Sequence, residues 1–226
     1  LENEDRTNDE YEDYSSISRP AIENHEQNHN HDNIEDGLIN NIRNVGFKII
    51  EADPKKIETL FKELDARKWT IFRRMGFYLL SEVPDIAPEL TKKQLTNKLF
   101  FDNSTVEHEF ARLLNRGFKI LSPEDQKIIL DWIDKAEKIT EHIERRKQET
   151  SINDEQEQRL KEVWQRDQLS YMKEDLPTEY KELYEGFIKK YGEPEHPDLP
   201  FYSTSWVGPV SDFKAQELVD MEPNKL

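Results

Sequence analysis

The sequence predicts an all-α protein, on three observations. Apolar residues recur at i, i+3, i+4 and i+7 in most stretches after residue 33, the period of a helix face. Glycine is scarce, 7 of 226 residues, while Glu, Lys, Leu and Ile, which lose little rotamer freedom in a helix, are abundant. Helix starts and stops are marked by caps, prolines and glycines, and no run reads convincingly as a strand.

The elements follow in order. Ile34, Leu38, Ile42, Val45 and Ile49 form one stripe, expected to be the buried face of a first long helix. Asp53-Pro54 restarts a helix, Asp as N-cap and Pro where its missing N–H costs nothing, with Ile57, Leu60, Phe61 and Leu64 facing the core. Trp69, Phe72, Met75, Gly76, Leu79 and Leu80 give a third helix, stopped by Pro84; Leu90, Leu95, Leu99 and Phe100 give a fourth, starting near Pro88. Ser104-Thr105-Val106-Glu107 matches a capping box, and Gly117 stands where a left-handed helix stop is wanted. Ser122-Pro123-Glu124-Asp125 opens a helix whose stripe runs Ile129, Trp132, Ile133, Ala136, Ile139 and Ile143. The charged stretch Arg145–Glu157 reads as helix or loop. Leu160, Val163, Trp164 and Tyr171 mark a further helix, and Tyr180, Leu183, Tyr184, Phe187 and Tyr191 the last, ended by Gly192. The four tryptophans, 69, 132, 164 and 206, are expected as core anchors.

Short capped connections imply antiparallel helix pairs, in units of roughly 66–101, 104–145 and 155–192. Such a period suits an α-solenoid of the HEAT or TPR kind; an irregular helical bundle explains the stripes almost as well, because the units share no residue-level signature. Net charge is −16, and residues 1–36 hold 12 of the acids against 2 basic residues. Residues 1–33 have too few apolar side chains to offset the entropy of ordering, and are expected to be a disordered or loosely docked acidic tail. Residues 34–192 form the helical domain, and 193–226 a loop of prolines and aromatics followed by the start of another helix. That unfinished run, Leu218, Val219 and Met221, suggests a piece of a longer protein.

Composition removes some classes of function. With no cysteine there are neither disulfides nor thiolate metal sites, which fits a reducing, cytoplasmic setting. No apolar run approaches the roughly 20 residues of a membrane span. The phosphate-cradling patterns Gly-x-x-x-x-Gly-Lys and Gly-x-Gly-x-x-Gly are absent, and no cofactor is expected. His25 and His29 have the i, i+4 spacing of a metal pair, with His31 close by, but on a polar tail with nothing to orient them the default is solvated side chains. His108-Glu109 resembles the start of a zinc-protease helix, yet position 112, where the second His belongs, is Arg; His108 is then a surface residue or a helix-face hydrogen-bond partner. His142 and His196 have no local partners for a triad.

The remaining candidates form a binding surface: Arg73 and Arg74 beside Trp69 and Phe72, Arg145, Arg146 and Lys147 at a helix end, and Tyr202 and Trp206 in the C-terminal loop. Basic and aromatic side chains together can hold single-stranded nucleic acid. The commoner roles, covering a helical core or pairing with abundant Glu, weigh against it here.

Three groups of motifs resemble, in this order, the helical-repeat region of very large, mostly uncharacterised bacterial proteins of the signalling and antiphage NTPase type. They are Trp69-Thr70-Ile71-Phe72-Arg73-Arg74 with its following helix; Glu107–Leu114 with Ser122-Pro123-Glu124-Asp125-Gln126 and Asp131-Trp132-Ile133; and Trp164-Gln165-Arg166, Asp175-Leu176-Pro177, Tyr191–Pro197 and Trp206-Val207-Gly208-Pro209. The resemblance covers about residues 67–221. Glu217-Leu218-Val219-Asp220-Met221 fits its later helix, whereas Asp212 stands where that pattern has Pro. The resemblance implies a non-catalytic scaffold or sensor segment, its polar helix faces and loop 192–210 meeting other domains of the same protein or a protein partner. It carries over no catalytic residue. Two alternatives stay open: a self-contained domain binding a protein through its acidic tail, and weak nucleic-acid binding through the Arg patches.

Overall fold

A computed structural model describes Asp13, residues 15–28 and residues 34–199. It is all-helical, with no strand among the described residues, and no helix there is long and apolar enough to cross a membrane. A single turn α1 (Ser15–Ser18) precedes the long α2 (Ile34–Ala52). Then come α3 (Ile57–Asp65), α4 (Thr70–Glu82), α5 (Pro88–Leu95), α6 (Lys98–Phe101) and α7 (Glu107–Gly117). The chain ends, as described, in α8 (Pro123–Lys135), α9 (Glu137–Lys147), α10 (Asp154–Ser170) and α11 (Thr178–Tyr191).

The centre is α4, packed against α3 on one side and α7 on the other. Phe77, Leu79 and Leu80 of α4 and Leu113 and Leu114 of α7 are fully buried. The Phe77 ring meets Phe100 and Phe110 edge-on, at 5.2 and 6.1 Å between centroids. The pairing therefore departs from the first two expected units, 66–101 and 104–145. α4 skips α5 and α6 to reach α7, because its buried face is continuous around the helix from Arg74 to Ser81 and needs cover on several sides. α10 and α11 do pair.

Several caps are where the sequence places them. Asp53 accepts from Lys55 N at 3.2 Å and Ser122 from Asp125 N at 3.2 Å, each followed by Pro. Asn153 and Gln156 close a reciprocal capping box on α10, so the charged stretch 145–157 is the end of α9, a short loop and a new start. Gly192, at φ 79°, ends α11.

Other boundaries are corrected. Asn103, not Ser104, caps: its side chain accepts from Thr105 N at 2.9 Å, and a 3-10 turn over Ser104–Val106 leads into α7. Asn97 splits the expected fourth helix into α5 and α6, leaving Leu99 on the surface. Ala136, in the left-handed region at φ 49°, splits the next long helix into α8 and α9. Gly117 is right-handed and ends no helix in the manner expected. It is Gly because a Cβ would stand 2.9 Å from Thr91 Cγ2 and 3.1 Å from Leu95 Cδ1, where α7 crosses α5.

The reading of residues 1–33 as disordered or loosely docked does not hold for 15–28. Ala21, Ile22, Gln27 and Asn28 are buried, and Ile22 belongs to the main core. Hydrophobic content could not reveal this, because the segment is held by charged side chains of the helices. The stripe of α2 is corrected too. Ile34, Leu38, Ile42, Val45 and Ile49 lie on the surface, from 83% exposed at Ile34 to 36% at Ile49. The inward face is Asp36, Arg43, Gly46 and Ile50.

The α8–α10 part of the core is an aromatic cluster: Phe101 touches Trp132 at 5.3 Å and Trp164 at 6.2 Å between centroids. Trp69, by contrast, is 39% exposed and does not anchor the core. Trp132→Ala is expected to destabilise the fold by about 3 kcal/mol, read from urea denaturation, because it empties one side of Phe101.

Candidate functional site

Two features stand out above the helical frame: a buried charge cluster that clamps the N-terminal segment, and an uncovered apolar face. The cluster is built on facing helices. Arg74 lies one turn before Tyr78 on α4, and Glu109 one turn before Leu113 on α7, so both charges sit in stripes that are otherwise core. Arg74 is 1% exposed and Glu109 0%. They pair in fork geometry, Nε to Oε2 at 2.7 Å and Nη2 to Oε1 at 2.9 Å.

The guanidinium has five N–H donors, and all are used. Besides the carboxylate, Nη1 donates to Ser15 O at 3.1 Å and Arg19 O at 2.7 Å, and Nη2 to Pro20 O at 2.7 Å. Glu109 Oε1 in turn accepts from Ile22 N at 2.9 Å. One ion pair thus holds the backbone of residues 15–22 against α4 and α7.

Further charges extend the clamp. Arg19 pairs with Asp36 of α2 at 2.8 Å and donates to Asn40 Oδ1 at 2.7 Å. Arg43 donates to Ile22 O at 3.0 Å and Asn24 Oδ1 at 2.9 Å. Arg112 binds Glu23 and Glu82 and lies 4.8 Å over the Tyr78 ring.

His108 is buried, which removes the surface role expected of it; the other expected role, a partner on the helix face, is the one its acidic neighbours fit. Its Nδ1 lies 2.8 Å from Asp198 Oδ2, an ion pair rather than an aligned hydrogen bond, and its Nε2 lies 3.6 Å from Glu23. The His25 ring meets it edge-on at 5.8 Å. Burial opposes the charge on His108, but the carboxylates of Asp198 and Glu23 outweigh it and hold the imidazolium up to about 9. His108 thereby ties the start of the C-terminal loop to the N-terminal segment. Tyr171 helps, donating to Pro197 O at 2.6 Å, as does Arg166, donating to Tyr191 O and Gly192 O.

The expected basic surface is not assembled. Arg74 is in the core. Its neighbour Arg73 pairs with Asp65 at 2.6 Å and covers the Phe100 ring at 5.1 Å. Arg145, Arg146 and Lys147 are exposed at the end of α9, but Lys147 bridges Glu144 at 2.8 Å and Glu157 at 2.6 Å, which raises its pKa. Tyr202 and Trp206 lie outside the described residues, as do His29 and His31. No group of three metal-ligating side chains occurs among the described residues.

The apolar face is what sequence reasoning missed. Leu38 and Ile42 of α2 and Trp69, Ile71, Phe72 and Met75 at the start of α4 line a groove of about 500 Å³. The rest of the α2 stripe continues it along the surface. Its signal was present in the sequence: α2 has apolar residues on two faces, Ile39, Phe47 and Ile50 on one and the five-residue stripe on the other, more than one packed side requires.

Comparison with protein-family models, with curated proteins and with solved structures gives no match.

Two expectations follow from the cluster. Glu109→Ala leaves the Arg74 charge buried and unpaired, and should cost about 3–5 kcal/mol in urea denaturation. A glutamate-specific protease should then cleave after Glu23, in the docked segment, faster than in the parent. His108 gives a pH dependence of definite sign. Its pKa is raised on folding, so its contribution is complete below about 6.5 and is lost as pH rises through about 9. Stability measured between about pH 6 and about pH 10 should fall more steeply in the parent than in His108→Gln.

Proposed function

We propose that this chain is a non-catalytic helical interaction segment, and that its contact surface is the apolar face of α2 with the adjoining groove on α4. The observation that carries this reading is the extent of that face. The five exposed side chains of the α2 stripe amount to about 500 Å² of contiguous apolar surface, at the upper end of what a monomer leaves bare and in the range that marks contact sites. The buried ionisable groups described above support it, since Arg74, Glu109, Arg19 and Asp36 are saturated by one another and by the chain's own backbone. Under this proposal the surface is not the one expected from sequence, the polar helix faces and loop 192–210. The wider setting, a segment serving a larger bacterial protein, rests on the motif resemblance over residues 67–221 and forms part of the same proposal.

A photo-crosslinking amino acid at Leu38 or Val45 of the full chain tests it, with Leu183 on α11, also exposed, as control. Protein adducts are expected from the α2 positions in cells and not from the control. An absence of adducts at both α2 positions, or ATP turnover by the purified chain, would overturn the reading.

A further inference from the structure

The α2 face is self-complementary, and this points to its occupant. Leu38, Ile42, Val45 and Ile49 are spaced four, three and four residues apart, the a/d spacing of a two-helix seam. That spacing reads the same in both directions. A two-fold axis between Ile42 and Val45 therefore lays Leu38 on the partner's Ile49 and Ile42 on the partner's Val45, all four side chains filling one seam.

The charges agree with this arrangement and oppose the other. Between Asp36 and Lys48 the only charged residue is Arg43, which faces inward onto Ile22 O and Asn24. The exposed middle of the helix thus offers apolar side chains edged by the amides of Asn41 and Asn44, without a charge to desolvate. The exposed charges stand at the ends. Antiparallel pairing brings Glu35 towards the partner's Lys48, whereas parallel pairing sets Glu35, which stands one heptad before Ile42 on the seam, beside the partner's Glu35. The four seam side chains leave about 350 Å² bare on each copy, about 700 Å² in all, and the lower bound of a specific interface, about 1,000 Å², is approached when Ile34, Trp69 and Ile71 at the margin are added.

We infer that α2 pairs two copies of this chain in an antiparallel dimer about a two-fold axis between Ile42 and Val45. This rests on the interaction reading above and names its partner.

Light scattering on the purified chain should give twice the single-chain mass of 27.0 kDa. Ile42→Glu should raise the dissociation constant roughly a hundredfold or more, with circular dichroism and thermal midpoint of the separated chains unchanged. The chain has no cysteine, so orientation can be read directly. On mixing and oxidation, Leu38→Cys chains should form disulfides with Ile49→Cys chains and not with one another. A parent of 27.0 kDa at all concentrations overturns the proposal. Like-with-like disulfides overturn the antiparallel arrangement. A monomeric parent that Ile42→Glu destabilises assigns the face to the chain's own remaining residues. If the parent is monomeric and the α2 crosslinks go to a different protein, the dimer falls while the interaction reading stands.

Discussion

The ion pair between Arg74 and Glu109 organises the rest of this structure. Two full charges removed from water would each cost several kcal/mol if unpaired. They are tolerated because the pair is bidentate and every guanidinium donor finds an acceptor. Three of those acceptors are backbone carbonyls of residues 15–20, so the charges can be satisfied only if the N-terminal segment is in place. A polar, acidic stretch is thereby made part of the core. The apolar area it brings, chiefly Ile22 and Ala21, is small, and its order depends on hydrogen bonds to charged donors, which are stronger than neutral ones.

The orientation of α2 follows from the same constraint. The docked segment presents Ile22 O, Asn24 and Arg19 towards α2, and these need Arg43, Asp36 and Asn40 opposite them. Rotating α2 to bury its aliphatic stripe would strand those polar groups. The close approach of Gly46 to Leu79, where a Cβ would lie 2.5 Å from Cδ1, keeps the chosen face against α4. The result is a helix whose most hydrophobic side faces outward, with the apolar groove of α4 beside it.

Much of the helical frame was legible. Caps at Asp53 and Ser122 and the stop at Gly192 were recognisable because their chemistry is local: a side-chain oxygen two or three residues from an orphan N–H, or a residue free to take positive φ. The breaks at Asn97 and Ala136 were not. Each interrupts a stripe that stays in register across it, and Ala136 carries no residue-type signal for a left-handed conformation. The burial of His108 and Arg74 was hidden for a related reason. Their ion-pair partners, Asp198 and Glu109, lie far along the chain, beyond the reach of a pattern read over one or two turns. A charge standing in an apolar stripe, as Glu109 does before Leu113, was the available clue.

The sequence by itself determined that the described chain is helical and where most helices begin, since propensity, capping and 3.6-residue periodicity act over a single turn. Only the tertiary structure decided which face of each helix is inside. Periodicity finds an apolar stripe, but burial also depends on what polar groups lie opposite, and the partners of Arg43, Arg74 and His108 come from distant parts of the chain. For α2 that long-range term prevailed over the hydrophobic one, and the stripe most readily taken as core became the outer surface.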